Sequence, residues 1–177
     1  MHPVRCAVDD APGVPGSRDE WNQPTFIHAR VDLDRLDGRV AEITGRKARL
    51  DASEARVLAE RSLDGYINSL YRSLKNLENG RDLEGRLDAM ESLSPFLTMA
   101  FAPEARVRPF NKRLRHELQH RPLGWPNVAG LVETIASDPS PSDQRMVFSQ
   151  AVPRARAAGL SEFVEGWEPD LGWLREG

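Results

Sequence analysis

The stretch Asp51-Ala-Ser-Glu-Ala-Arg-Val-Leu-Ala-Glu-Arg-Ser-Leu-Asp-Gly-Tyr-Ile-Asn-Ser-Leu-Tyr-Arg-Ser-Leu-Lys-Asn-Leu77 decides the fold. Leu63, Ile67, Leu70, Leu74 and Leu77 recur at threes and fours, the spacing that stacks side chains on one face of an α-helix and marks a buried stripe. Asp51 or Ser53 is placed to cap the start, Gly65 is a point where the helix continues or breaks, and Asn79-Gly80 ends it. A helix this long, with a leucine stripe, needs other helices to cover it.

Toward the C-terminus the chain supplies them. A second helix is predicted from Asp82, with Leu83, Leu87, Met90, Leu93, Leu97 and Phe101 as its apolar stripe; Pro95 should kink or break it and Pro103 should stop it. A third begins near Pro109, since proline is tolerated in a first turn, and runs to about His120. Further helices are predicted over 127–137, 141–158 and 161–173, with Trp125, Trp167 and Trp173 as packing anchors. No internal repeat is visible. Residues 51–177 thus read as a helical domain built as an antiparallel bundle.

Toward the N-terminus the period changes. In Thr25-Phe-Ile-His-Ala-Arg-Val-Asp-Leu-Asp34, Ile27, Ala29, Val31 and Leu33 alternate with Phe26, His28, Arg30, Asp32 and Asp34, as in a strand with one buried face. Asp37-Gly38 signals a tight turn, and Arg39-Val-Ala-Glu-Ile-Thr44 is predicted to return as a second strand. Residues 24–50 are therefore expected to form a β-hairpin, and the fold class is mainly α with an N-terminal hairpin. Residues 1–23, punctuated by Pro3, Pro12, Gly13, Pro15 and Gly16, read as a flexible segment.

Composition bounds the function. Against 24 Lys and Arg stand 27 Asp and Glu, for a net charge of −3, which excludes a globally basic binder of duplex nucleic acid. The one cysteine, Cys6, excludes a disulfide framework and a multi-cysteine zinc site. No apolar run is long enough to span a bilayer or to serve as a signal peptide, so the expectation is a cytoplasmic chain. Metalloprotease, zinc-finger, P-loop and dinucleotide signatures are absent.

Three clusters remain as carriers of chemistry. Asp64, Asn68, Arg72 and Lys75 share one side of the first long helix, with Tyr71 at its border; such groups hold phosphates and sugar hydroxyls, and equally they make a solvated face laced with ion pairs. The segment Arg106-Val-Arg-Pro-Phe-Asn-Lys-Arg-Leu-Arg-His-Glu-Leu-Gln-His-Arg121 sets Arg106, Arg108, Lys112, Arg113, Arg115 and Arg121 against one acid, Glu117. It suits either a phosphate site at a helix start or a solubilising face. Asp32 and Asp34 point the same way from a strand and can share a divalent cation, although an exposed strand face of mixed charge needs none. Within the second cluster, Arg115-His-Glu-Leu-Gln-His120 resembles the ribonuclease motif of HEPN domains, which would make Arg115 and His120 catalytic at a scissile phosphate.

The runs Leu63-Asp-Gly-Tyr-Ile-Asn-Ser-Leu-Tyr-Arg-Ser-Leu-Lys-Asn76, Gly85-Arg-Leu-Asp-Ala-Met-Glu-Ser-Leu93 and Arg106-Val-Arg-Pro-Phe-Asn-Lys112 together resemble the helical C-terminal half of nucleotidyltransferases of the DNA polymerase β superfamily, in the branch that includes aminoglycoside nucleotidyltransferases. The resemblance spans residues 26–123. It implies transfer of a nucleoside monophosphate from a nucleotide triphosphate to a hydroxyl-bearing small molecule, assisted by Mg²⁺. It makes residues 51–177 the substrate-binding domain, and Asp32, with Asp34, the catalytic metal-binding carboxylates; Asn68, Tyr71, Arg72, Lys75, Arg106, Arg108 and Lys112 become the nucleotide and substrate contacts. The chain departs from the family at its N-terminus: Gly16-Ser17 precedes Asp32-Leu-Asp34 by too long a spacer, and a complete catalytic sheet does not fit into the first fifty residues. The expectation is a truncated nucleotidyltransferase, or one whose true start lies upstream, with little activity alone. An HEPN-type ribonuclease and a non-enzymatic helical interaction module are the alternatives.

Overall fold

The computed structural model describes residues 23–168 and 170–176, most of them helical. The N-terminal segment expected to be flexible, with Cys6, lies outside the described residues but for Gln23. In chain order the helices are α1 (Arg39–Lys47), α2 (Ala52–Glu78), α3 (Asp82–Phe101), α4 (Asn111–His120), α5 (Val128–Ser137), α6 (Pro141–Ala157), α7 (Ser161–Glu165) and α8 (Asp170–Glu176), with single 3₁₀ turns at Gln23–Thr25 and Ala102–Glu104. The chain is mainly α.

Asp51 starts α2 with a capping box: its carboxylate accepts the Glu54 N–H at 2.8 Å, and Glu54 accepts the Asp51 N–H at 2.9 Å, satisfying two otherwise orphaned donors. The helix runs through Gly65 unbroken, and Leu63, Ile67, Leu70 and Leu74 are buried as their spacing predicts. α3 folds back along it, α5 packs on α3, α6 and α7 pack on α2, and α8 packs on α6. Tyr66 and Phe96 meet at 5.3 Å between ring centroids, with Phe148 of α6 6.4 Å from Tyr66 and Trp125 5.1 Å from Phe96. Among the described residues no helix is long and apolar enough to cross a membrane.

Three expectations are corrected. The first is the phase of the N-terminal half of α3; Leu97 and Phe101 are buried and Leu93 partly so, as their spacing predicts. Leu83, Leu87 and Met90 are exposed; the line turned to α2 is Gly85, Ala89, Ser92 and Phe96. The period was legible, but small residues took the contact face because they let two backbones approach. A methyl group on Gly85 would stand 2.6 Å from the Leu77 side chain, and the Ser73 hydroxyl donates to the Gly85 carbonyl at 2.7 Å. α3 also runs through Pro95, which packs beside Gly65.

The second is the hairpin. No strand is present among the described residues: Thr25 to Asp34 passes through turns and irregular backbone, with Ala29 and Leu33 exposed, and Arg39–Lys47 is helical. Asp37 and Gly38 do turn the chain, at φ 51° and 86°, but the turn leads into a helix. The Asp34 carboxylate accepts N–H groups from Leu36, Val40 and Ala41 at 2.9–3.0 Å, which satisfies first-turn donors of α1. A six-residue run fits both periods, and the cap selects the helical one. The third correction is minor: 161–173 divides into α7 and α8 around a turn at residues 166–168.

Candidate functional site

Leu50 donates to the Ala105 carbonyl at 3.2 Å, and Arg49 and Arg106 form an isolated antiparallel bridge. This pairing draws the approach to α2 against the exit from α3. The space left beside it, under residues 26–31 and α1, is a cavity of about 810 Å³, within the size range of small-molecule sites. Its wall includes Ile27, Thr44 and Val107, and its charged groups are Arg30, Arg49, Arg106 and Arg121 against Glu104 and Glu117.

Glu117 organises this wall. It is 3% exposed, and its carboxylate accepts from Arg106 at 2.9 Å and Arg121 at 3.3 Å, with His28 Nε2 at 3.5 Å. Burying a carboxylate is tolerable because cations surround it. Arg106 is held further by the carbonyls of Arg121 (2.8 Å) and Pro122 (3.4 Å), and its guanidinium lies 5.1 Å from the Phe101 ring centre. Its Nε is buried without a partner. Arg30 is paired at 2.9 Å with exposed Asp32. Glu104 stands 3.4 Å from Arg106 as well, and Arg49 alone of the four wall arginines has no carboxylate partner among the described residues, which leaves the wall an excess of positive charge.

The remaining expected site residues fall elsewhere. Arg72 sits between Asp88 (3.0 Å) and Glu91 (2.7 Å), and Asn76 donates to Asp88 at 2.7 Å. Lys75 places its ammonium 3.8 Å from the Trp173 ring centre, and Tyr71 packs on the same indole at 5.1 Å. Asn68 is exposed. Arg72 and Lys75 lie 20 and 23 residues along α2 from its start at Ala52, about 30 Å or more at 1.5 Å per residue, whereas Arg106 stands beside that start. The single cationic cleft expected from these residues is therefore two separate places, and at the first the cations are already engaged. Arg108 donates to Ser94 at 2.7 Å and to Asn111; burial holds its guanidinium below the ordinary arginine range. Lys112 is exposed on α4.

Asp34 is committed to the backbone of α1, and those N–H groups, Leu36 foremost, hold its carboxyl below the usual range. Its lone pairs cap a helix, and Asp32 is turned to Arg30. The two carboxylates do not fit a shared cation, and no group of three His, Cys, Asp or Glu able to hold a metal occurs among the described residues. Arg115 donates to Glu133 of α5, while His120 stacks on His116 at 4.0 Å and sets Nδ1 2.9 Å from the His116 carbonyl oxygen. Arg115 and His120 thus turn to different neighbours. Trp125 is buried as an anchor and Trp167 and Trp173, partly buried, pack against the core; Trp167 also lines a second cavity of about 590 Å³ with Asp64, Phe163, Glu162, Glu168 and Asp170. Asp64 therefore belongs to acidic surroundings.

Sequence reasoning missed Arg49 as a site residue, and it set His28 and Arg30 on a charged strand face with Asp32 and Asp34 where the structure puts them beside Glu117 and the cavity. Arg49 carries no local signal; its role comes from a bridge to a residue 57 positions away. Glu117 did carry one, as the lone acid in its basic segment. Comparison of the chain with protein-family models, with curated proteins and with solved structures finds no match.

Proposed function

We propose that the chain is a helical ligand-binding protein that holds a phosphorylated small molecule, of the nucleotide class, between Arg30, Arg49, Arg106 and Arg121. In the nucleotidyltransferase-like reading this is the binding half of a transfer of nucleoside monophosphate to a hydroxyl, and the chain alone turns over little. The observation that carries the reading is the excess of guanidinium groups around a cavity large enough for a mononucleotide. Guanidinium forks match phosphate oxygens in pairs. Arg106 is fixed by Glu117 and orients the wall; Arg49 and Arg121, more exposed, meet the ligand.

Calorimetry with ATP, with and without Mg²⁺ and at low and high salt, tests this. ATP is expected to bind, more weakly as salt screens the charges. Arg49→Ala and Arg121→Ala are each expected to weaken binding about tenfold, the equivalent of one charged hydrogen bond, while Lys112→Ala does little. No heat from any phosphorylated ligand, or an equal loss in Lys112→Ala, would overturn the reading. A radiolabelled transfer assay over hydroxyl acceptors checks the catalytic half: Mg²⁺-dependent turnover abolished by Asp32→Asn and by Asp34→Asn would contradict the expectation of little activity.

A further inference from the structure

Leu83, Leu87 and Met90 stand on α3 at spacings of four and three, and they are 68%, 58% and 39% exposed. Each is two residues, about 200° around the helix, from Gly85, Ala89 or Ser92, which are buried against α2. The stripe therefore looks away from the bundle. Ser94 continues its line, and the hydrogen bond from Arg108 to Ser94 brings the neighbouring chain alongside, including Phe110 at 43% exposure. Scattered exposed leucines are ordinary, whereas large apolar side chains in helical register form a patch that marks an interaction site.

The flanking charges select the occupant. In a two-helix seam built on Leu83, Leu87, Met90 and Ser94, Glu84 and Glu91 border one edge and Arg86 the other. An antiparallel copy would set acids against acids and Arg86 against itself. A parallel copy sets Arg86 against the partner's Glu91, twice across the two-fold axis. Arg86 and Glu91 have intramolecular neighbours, Asp138 at 3.6 Å and Arg72 at 2.7 Å, yet their side chains are 62% and 64% exposed and keep surface for a second contact. We infer that this face of α3 is the seam of a homodimer in which two copies of the chain pack α3 against α3 in parallel. The seam spans about 18 Å of helix, so the dimer is reversible and concentration-dependent.

Sedimentation velocity of the full chain from nanomolar to high micromolar concentration tests this, with circular dichroism to show that each variant is folded. Wild type is expected to pass from monomer to dimer. Leu87→Glu, and Leu83→Gln as a second variant, should raise the midpoint about tenfold or more, the effect of losing roughly 1.4 kcal/mol or more per dimer. Arg86→Glu and Glu91→Arg should each weaken assembly, and an equimolar mixture of the two should recover it, because each then presents the charge the other lacks. A monomer at every concentration, apolar-stripe or charge variants that assemble like wild type, or a mixture no better than its components would overturn the inference.

Discussion

The α2–α3 pair and the rim made by residues 26–50 with α4 differ in how fully their charged side chains are matched. Between α2 and α3 nearly every polar group has its match: Arg72 lies between Asp88 and Glu91, Asn76 on Asp88, and Ser73 on the Gly85 carbonyl. In the rim, four arginines outnumber two glutamates around open space. Both regions carry clustered cations in the sequence. The difference is one of degree: Arg72 faces two carboxylates across the helix pair, while in the rim Arg30, Arg106 and Arg121 are paired with Asp32, Glu104 and Glu117 and Arg49 lines the cavity with no carboxylate partner among the described residues.

The largest expected effect falls on the packed region. Phe96→Ala removes a ring that meets Tyr66 and Trp125 and should destabilise the whole fold by about 3–5 kcal/mol in chemical denaturation. A loss below 1 kcal/mol would break the distinction between a tightly packed helix pair and a loose rim. Next, Gly85→Ala should cost about 1–3 kcal/mol, because its methyl group meets Leu77 and must push α2 and α3 apart. Compensation by Leu77→Ala in the double variant would place the strain at that contact.

A smaller effect of opposite sign is expected at Tyr66. Its hydroxyl is buried without a partner and burial raises its ionisation above the ordinary tyrosine value of 10.0. The folded state holds the neutral phenol, so stability is complete below that value and declines as pH rises beyond it. Tyr66→Phe should gain about 1 kcal/mol at neutral pH and flatten the alkaline decline, both visible in denaturation midpoints measured across pH.

The smallest effect is local, and it sharpens the comparison from the rim. Because the folded Asp34 carboxyl is held below the ordinary value of 3.8, its cap is present above that value and is lost as pH falls through the depressed one. Amide exchange of residues 39–47 should accelerate on acidification while α2 and α3 stay protected. Asp34→Asn, whose single amide oxygen can accept from Leu36 or from Val40 and Ala41 but not from both sides, should open the helix more readily at neutral pH and remove the pH dependence of that opening. Simultaneous opening of all three helices would contradict it.

The sequence made α2 legible because its leucine stripe and its Asp51 cap agree. α3 was legible in period throughout and in phase over its C-terminal half, where Leu97 and Phe101 are buried; in its first half the large residues Leu83, Leu87 and Met90 outweigh Gly85, Ala89 and Ser92 on hydrophobicity, but close helix packing favours the small ones. The return strand of the β-hairpin failed for want of length, since the six residues 39–44 do not distinguish the two periods, and the ten-residue alternation of 25–34 was left with no strand to pair with; the deciding contact is Asp34 to the amides of Val40 and Ala41. Of the expected ligand contacts, Arg106 reaches the cavity because its segment turns at the end of α3. Arg72 and Lys75 do not, because periodicity places residues on a face without saying what faces them.

Hydrogen exchange of the full chain with and without ATP tests the central claim most directly, because it maps the ligand onto one region or the other. Protection is expected to rise in residues 26–31, 39–50, 104–107 and 117–121 and to stay unchanged in 68–76 of α2. Protection confined to 68–76 and the facing turns of α3, with the rim unchanged, would contradict it and return the ligand to Arg72 and Lys75.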